Sequence, residues 1–261
     1  MASFAQVDWS GRPIRIEYEW VGAGDAVMVF LHEGLGSLAM WRDFPARLAS
    51  ALGMRGLAYS RPGYGRSTPR EAGERWQGDY LHRQAFEVLP ALLDELGIDA
   101  PAWLLGHSDG ASIALLFAAR SPSRTAGVIA MAPHVFVEPV ALEGIERARE
   151  AYRAGALRDR LARYHDDVDS AFWGWNDAWL AAPFREWNIE AELPAIEAPI
   201  LAVQGAGDEY GTLEQVERIA RRARRVEILE LADCGHSPHR DQPGSVIAAA
   251  AGFVRSNTVA A

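Results

Sequence analysis

The sequence predicts an α/β fold, with a mostly parallel sheet flanked by helices and a helical segment inserted between two strands. Short apolar runs of the kind buried on both faces of a sheet alternate with segments of helical periodicity, which is typical of a doubly wound parallel sheet. Polar and glycine-rich turns follow several of these runs, where strands would end. The alternation stops after Met131 and resumes at Pro199, and a gap of that length predicts an insertion with structure of its own.

The composition fits one large domain and excludes several kinds of site. The 261 residues are 49% hydrophobic, and the formal net charge of −9 argues against nucleic acid or an anionic membrane as a partner. All 26 basic residues are arginines, so no lysine is available to form a Schiff base, to act as a general base or to complete a P-loop. The single cysteine, Cys234, excludes an intrachain disulfide and a cysteine-cluster metal site.

The sequence also gives an expectation about the setting in which the protein works. Residues 1–10 lack a basic stretch followed by an apolar one, and no apolar run reaches the length of a membrane span. We therefore expect a cytoplasmic protein that acts on a small-molecule substrate, with no cofactor, metal, nucleic acid or membrane. The sequence leaves open whether identical copies of the chain form an oligomer.

The elements before the insertion follow one another in a regular order. Two strand-like segments joined by a turn at Ser10–Pro13 predict an antiparallel hairpin at the start of the chain. The predicted strands up to Met131 are 4–9, 14–20, 26–31, 56–59, 102–105 and 127–131. The predicted helices between them are a segment that ends at Leu52, an amphipathic helix at 78–96 and a helix at 111–119.

The alternation after the insertion predicts two more strands, at 199–203 and 226–231, with helices between and after them. Thr212 and Gln215 have the spacing of a capping box, so we expect a helix from there to about Arg225. A closing helix is predicted at 244–254.

The insertion at 135–190 is expected to form a helical cap over a core made of 1–134 and 191–261. Helical patterns occur at 142–153 and 157–165. An aromatic cluster accompanies them: Phe172, Trp173, Trp175, Trp179, Phe184 and Trp187. Such a cluster either contacts the substrate or forms the interior of the cap, and the sequence leaves both open. Its four tryptophans are therefore candidates for substrate contact.

The stretch from Leu104 to Leu115 combines an apolar strand, a Gly-x-Ser-x-Gly turn and a small-residue helix, which is the pattern of a nucleophile elbow. Such a turn exposes the hydroxyl of Ser108 at the carboxyl edge of the sheet, beside a helix N-terminus that favours negative charge. Gly106 and Gly110 stand where a Cβ would collide with the neighbouring strand or helix. Ser108 is therefore the candidate nucleophile.

A serine nucleophile needs a base and a group that orients the base, and the chain offers both at later strand ends. Asp208 follows the strand at 199–203, and His236 lies in the loop after the last strand. The order serine, aspartate, histidine is the one expected for this architecture. We therefore expect a catalytic triad of Ser108, Asp208 and His236. Its rivals are His32, His107 and His239 for the base, and Glu209 and Asp233 for the acid.

The oxyanion of an acyl-transfer intermediate needs two backbone N–H donors. One should be the amide of Asp109, directly after the nucleophile, and the other should come from the loop after Leu31, where Gly34 is the best candidate. Glu33 lies in the same loop. Its carboxylate either makes a structural hydrogen bond, repels anionic acyl groups or holds a water or a substrate hydroxyl, so Glu33 is also a candidate for substrate contact.

These motifs, in this order and over essentially the whole chain, resemble the α/β-hydrolase superfamily. The matching segments are 32–34, 63–67, 106–110, 205–208 and 235–236. The chain is most similar to small, cofactor-free, capped enzymes: carboxylesterases, carbon–carbon bond hydrolases of meta-cleavage type and perhydrolase-like enzymes. The resemblance implies an α/β-hydrolase fold, with an eight-stranded sheet whose second strand is antiparallel. Two residues depart from the family pattern, because Glu33 stands where glycine is usual and Ser60 where aspartate is usual.

The expected reaction is hydrolysis of a small or aromatic carboxylic ester through an acyl-enzyme intermediate. Serine at position 108, where some relatives have aspartate, argues against haloalkane dehalogenase and epoxide hydrolase chemistry. Two alternatives stay open: carbon–carbon bond hydrolysis of a vinylogous diketone by the same triad, and a ligand receptor built on the hydrolase fold. For the first alternative, Arg185 is a candidate to pair with a substrate carboxylate.

Overall fold

A computed structural model describes residues 2–258, and in this range the strands form one eight-stranded sheet. The strands are β1 (Ser3–Trp9), β2 (Arg12–Gly22), β3 (Val27–Leu31), β4 (Arg55–Tyr59), β5 (Ala102–His107), β6 (Thr125–Met131), β7 (Ile200–Gly205) and β8 (Val226–Leu231). Their order across the sheet is β1-β2-β4-β3-β5-β6-β7-β8. Strand β2 is antiparallel to both of its neighbours, and the other neighbours are parallel. The predicted α/β-hydrolase fold class is confirmed, including its antiparallel second strand.

The helices lie between the strands, as the alternation of patterns predicts. They are α1 (Phe44–Leu52), α2 (Tyr80–Arg83), α3 (Leu89–Glu95), α4 (Asp109–Arg120), α5 (Pro139–Arg153), α6 (Ala156–Leu161), α7 (Val168–Leu180), α8 (Glu214–Arg222), α9 (Pro238–Asp241) and α10 (Pro243–Asn257). The helix expected at 78–96 consists of α2, a π-helical turn and α3. Among residues 2–258, none of the helices combines the length and the hydropathy that a membrane crossing requires.

The hairpin at the start of the chain has a tighter turn than the sequence suggests. Trp9 pairs with Arg12 and Asp8 pairs with Pro13, so only Ser10 and Gly11 lie between the strands. Both turn residues have positive φ, 57° for Ser10 and 78° for Gly11. A two-residue turn of this kind matches the right-handed twist of the strands, which explains why Pro13 belongs to β2 instead of the turn.

The sequence analysis missed α7, the helix that carries most of the aromatic cluster. Its start is marked by Asp167, whose side chain accepts a hydrogen bond from the backbone N–H of Ser170 at 2.8 Å. An N-terminal cap of this type is the sequence signal that indicates the helix. The aromatic residues obscure the helical period because they lie on more than one face of α7.

The capping box expected at Thr212 and Gln215 does not form. Thr212 Oγ1 accepts a hydrogen bond from the N–H of Glu214 at 3.2 Å, but the side chain of Gln215 is buried and faces the loop after β6. There its Oε1 accepts from the N–H of Val135 at 2.7 Å, and its Nε2 donates to the carbonyl of Phe136 at 3.1 Å. An unpaired backbone group costs more free energy in that buried loop than at an exposed helix end, where water can bind it.

The central strands are buried on both faces of the sheet. Val29 and Leu31 belong to an apolar cluster that includes α4, whereas Met28 and Phe30 pack on the other face with α1 and α10. Burial of each such side chain contributes about 1.5–3 kcal/mol. The sheet is therefore a rigid support for the loops at its carboxyl edge. Helices α5, α6 and α7 occupy the insertion, and its division from the core as a cap stays a prediction.

Candidate active site

Ser108 occupies a strained turn between β5 and α4. Its backbone has φ 53° and ψ −120°, a conformation that is costly for a residue with a Cβ, and such strain is found at functional sites. The N–H of Ser108 donates to the carbonyl of Met131 at 2.9 Å, which holds the turn against β6. A Cβ on Gly106 would collide with the backbone of Gly110, and one on Gly110 would collide with the carbonyl of Leu31. Both glycines are therefore required by close backbone contact.

The structure brings the three expected triad residues together in one hydrogen-bonded line. Nε2 of His236 lies 2.9 Å from Oγ of Ser108. Nδ1 of His236 lies 2.8 Å from Oδ1 of Asp208 and 2.9 Å from Oδ2. In the tautomer that satisfies both contacts, Nδ1–H donates to the carboxylate and Nε2 accepts from the serine hydroxyl. This arrangement can move a proton between the serine and a leaving group.

The carboxylate of Asp208 is fixed by three further donors. Its Oδ1 accepts from the N–H groups of Tyr210 at 2.8 Å and Gly211 at 3.2 Å, and its Oδ2 accepts from Nε2 of Gln204 at 2.7 Å. Burial raises the pKa of Asp208, but the hydrogen bond and charge of His236 outweigh it and hold the pKa below its ordinary value. Asp208 is thus an anion in position to orient His236.

In the described part of the chain, the other histidines and acids considered for the triad are bound to other groups, unpaired or exposed. His32 bonds to backbone atoms through both ring nitrogens. Nε2 of His107 lies 2.6 Å from the backbone carbonyl of His236, so this nitrogen is already paired. His239 is buried against Trp41, and neither of its nitrogens has a partner within residues 2–258. Among the acids, Glu209 accepts a hydrogen bond from the backbone N–H of His236 at 3.2 Å, and Asp233 is exposed.

The two amides expected to hold the oxyanion are free to bind. Gly34 and Asp109 both line the cavity that contains Ser108. Neither backbone N–H donates to another residue in the described range 2–258. The indole of Trp175 packs so closely on Gly34 that a Cβ there would collide with it. Glycine is therefore needed where the loop after β3 packs against Trp175 of α7.

The two carboxylates near these amides are held by other side chains. Glu33 lies between His107, with Oε2 3.5 Å from Nδ1, and Arg240, with Oε1 3.1 Å from Nη2. Burial raises the pKa of Glu33, but the hydrogen bond and charge of His107, together with Arg240, hold the pKa well below its ordinary value. Of the roles expected for Glu33, the geometry thus supports the structural hydrogen bond.

The side chain of Asp109 belongs to a buried polar group. It accepts from the hydroxyl of Tyr80 at 2.6 Å and from Nε1 of Trp179 at 3.2 Å, and Nη2 of Arg61 lies 3.8 Å away. Burial raises the pKa of Asp109, and Arg61 and the two hydrogen bonds oppose that rise. The carboxylate thereby ties α4 to α7.

A cavity of about 620 Å³ opens beside Ser108, between the sheet edge and the inserted helices. Of the side chains expected to contact a substrate, Glu33, Trp175 and Trp179 line it. Trp173 and Trp187 lie elsewhere: Trp173 packs on Phe172 and Tyr152, and Trp187 stacks on Phe184. Arg185 is likewise outside the cavity lining.

Several cavity residues were not predicted from the sequence. The most polar of them are His134, Tyr210 and four arginines: Arg42, Arg147, Arg160 and Arg240. His134 follows the end of β6, and a polar residue at the carboxyl end of a parallel strand is the signal that could have found it. The described residues contain no cluster of three or more His, Cys, Asp or Glu side chains arranged to hold a metal ion.

Curated relatives cover most of the chain at low identity. A 2-hydroxy-6-oxononadienedioate/2-hydroxy-6-oxononatrienedioate hydrolase of Escherichia coli K12 is 24% identical, over 89% of this chain and 88% of its own length. A 2-hydroxy-6-oxo-6-phenylhexa-2,4-dienoate hydrolase of Burkholderia cepacia is 25% identical, over 85% of each chain.

Solved structures share the fold. A thermophilic esterase from Thermogutta terrifontis superposes with a TM-score of 0.73 and 21% identity, covering 98% of this chain and 99% of that one. The sequence model of the alpha/beta hydrolase family matches residues 28–250, which include the elbow and the residues around it. On this match, together with the sheet order described above, the chain belongs to the alpha/beta hydrolase family.

Proposed function

We propose that this protein is a serine hydrolase that cleaves a small or aromatic carboxylic ester through an acyl-enzyme. The observation that carries the proposal is the hydrogen-bonded line from Asp208 through His236 to Ser108, in the wall of a cavity with two free amides. Ester cleavage needs no more than these groups. The cytoplasmic setting and the small-molecule substrate stay predictions.

Acylation begins when Oγ of Ser108 attacks the carbonyl carbon of the ester. His236 takes the serine proton as the new C–O bond forms, and the carbonyl electrons move to the oxygen, which the amides of Gly34 and Asp109 stabilise. His236 then gives the proton to the leaving alcohol while the bond to that alcohol breaks. Asp208 keeps the imidazole in the required tautomer and stabilises its positive charge.

Deacylation repeats these steps with water in place of the alcohol. His236 takes a proton from the water as its oxygen attacks the acyl carbon, and returns it to Ser108 when the acid leaves. The aromatic walls supplied by Trp175 and Trp179 suit an apolar acyl or alcohol group.

Carbon–carbon bond hydrolysis is the second candidate, and one observation favours it. The side chains of Arg42 and Arg160 line the cavity and make no hydrogen bond or ion pair with another residue of the described range. They are therefore available to a carboxylate such as the one carried by the dienoate substrates for which the relatives are named. In this reaction the same serine attacks a ketone carbonyl, and the leaving group is a carbon.

A comparison of two substrates tests both candidates. We expect turnover of p-nitrophenyl butanoate to exceed that of 2-hydroxy-6-oxo-6-phenylhexa-2,4-dienoate, and Ser108→Ala to lower kcat for the ester by at least about 10⁴-fold. Faster turnover of the dienoate would replace the first candidate with the second. Full ester activity of Ser108→Ala, or none in the unmodified protein, would contradict the proposal.

A further inference from the structure

His134 is a buried imidazole in the cavity wall to which the mechanism above gives no part. It lies just after β6, and its side chain is 3% exposed. Its ring centroid is 5.8 Å from that of His236 and 5.0 Å from that of Trp179. A polar ring so close to the reacting atoms contacts any substrate that fills this side of the cavity.

The loop that carries His134 is held in place from two helices. Oγ of Ser112, on α4, accepts from the N–H of His134 at 3.3 Å and donates to its carbonyl at 2.6 Å. Gln215, on α8, binds the next two residues through Val135 N–H and the Phe136 carbonyl. Ala132, two residues before His134, has a positive φ of 46°, and strain of this kind persists only where the surroundings impose it. The backbone that carries the ring is therefore preorganised.

The two ring nitrogens of His134 have different surroundings. Nδ1 is buried and has no partner within residues 2–258, so a proton there would be an unsatisfied donor. We assign the proton to Nε2, the nitrogen left to meet a bound molecule. Burial, together with the neighbouring His236, lowers the pKa of His134 to about 3, so the ring is uncharged near neutral pH.

We propose that His134 determines specificity by donating a hydrogen bond from Nε2 to an uncharged oxygen of the substrate, outside the scissile ester group. An ether, hydroxyl or carbonyl oxygen would satisfy it. This inference rests on the ester hydrolase function proposed above. A donor in a mostly apolar cavity favours a substrate with an acceptor, because an apolar analogue leaves the donor unpaired. An uncharged ring supplies a hydrogen bond but no opposite charge, so it does not offset the cost of burying a carboxylate.

Two pairs of esters, matched in shape, test the proposal. p-Nitrophenyl methoxyacetate and p-nitrophenyl butanoate differ by one oxygen in the acyl chain, and 2-methoxyethyl acetate and butyl acetate differ by one oxygen in the alcohol. Intrinsic reactivity cancels when the ratio of kcat/KM within a pair is compared between variants. His134→Phe keeps a ring and removes the donor, whereas His134→Gln keeps an N–H donor.

In His134→Phe we expect the oxygen-to-methylene ratio of kcat/KM to fall about 5- to 10-fold in one of the two pairs, and His134→Gln to restore most of it. The pair that responds identifies the side of the ester that carries the oxygen. If circular dichroism shows that the Phe variant does not fold, His134→Leu takes its place. Unchanged ratios in both pairs, with the esters still turned over, would overturn this inference alone. No turnover of any of the four esters by the unmodified protein would overturn the proposed function and this inference with it.

Discussion

Nε2 of His107 donates a hydrogen bond of 2.6 Å to the backbone carbonyl of His236, so the residue before the proposed nucleophile holds the loop of the proposed base. The other nitrogen of the same ring faces the carboxylate of Glu33 at 3.5 Å, and Arg240 binds that carboxylate from the far side. Three segments distant in sequence thereby help to fix the position of His236.

Removal of this contact should slow catalysis while the protein stays folded. In His107→Phe the carbonyl of His236 loses its donor, and we expect kcat for p-nitrophenyl butanoate to fall about 5- to 10-fold with little change in KM. Steady-state kinetics and circular dichroism measure the two effects. His82→Phe, on α2 and outside the cavity, is the control. Equal kcat values for the two variants would show that His107 does not position the loop.

The charge of Glu33 should stabilise the folded protein in a pH-dependent way. Because its pKa is held well below the ordinary value in the folded state, its contribution is complete above the unfolded pKa and is lost as the pH falls through the folded pKa. We expect Glu33→Gln to lower the free energy of unfolding by about 2 kcal/mol near neutral pH, and by progressively less below about pH 4.

Urea unfolding at a series of pH values measures that difference. Glu143→Gln is the control, because Glu143 makes an exposed ion pair with Arg147 at 3.9 Å. A difference for Glu33→Gln that grows towards acid pH would reverse the predicted sign and contradict the account of its environment.

The buried carboxylate of Asp109 should matter for stability more than an exposed one. Asp109→Asn leaves the guanidinium of Arg61, which is fully buried, without its anion, and we expect a loss of about 3–5 kcal/mol in the free energy of unfolding. Asp94, which is largely exposed, pairs with Arg124 at 2.8 Å, and Asp94→Asn should cost less than about 1 kcal/mol. Similar losses for the two variants in urea unfolding would be inconsistent with a buried ion pair.

Two neighbouring tryptophans of α7 offer a matched test of the cavity. Trp175 lines it and Trp173 does not, because residues two apart on a helix point about 200° from each other. We expect Trp175→Leu to change the relative kcat/KM for p-nitrophenyl acetate, butanoate and octanoate by about 5-fold or more, since it alters the wall that the substrate contacts. Trp173→Leu should leave the order and spacing of the three values as they are. A chain-length profile changed by Trp173→Leu alone would place the substrate elsewhere.

Local sequence patterns were sufficient to select the three side chains that the structure brings together. Ser108 is recognisable from the glycines around it, and Asp208 and His236 from their places after strands that a parallel sheet aligns at one edge. The two-residue hairpin turn depends on strand register, and the inward orientation of the Gln215 side chain depends on the buried backbone groups that it binds. A local sequence pattern contains neither. Which tryptophan meets the cavity depends on the rotation of α7, and that helix itself was not predicted.

Long-range partners explain the other differences. Glu33 is held by Arg240, which lies more than 200 positions away in the chain. Nδ1 of His134 is buried without a partner in the described range because of the residues that pack around it. Such features arise only when the sheet edge and the inserted helices are packed together.

The activation of Ser108 by His236 is the central claim, and covalent labelling tests it most directly. A fluorophosphonate reacts with a serine whose hydroxyl has an adjacent base, and peptide mass spectrometry then locates the adduct. We predict an adduct on Ser108, none in Ser108→Ala, and labelling at least about 10³-fold slower in His236→Ala. An adduct on a different residue, or labelling of His236→Ala at the unmodified rate, would contradict the account.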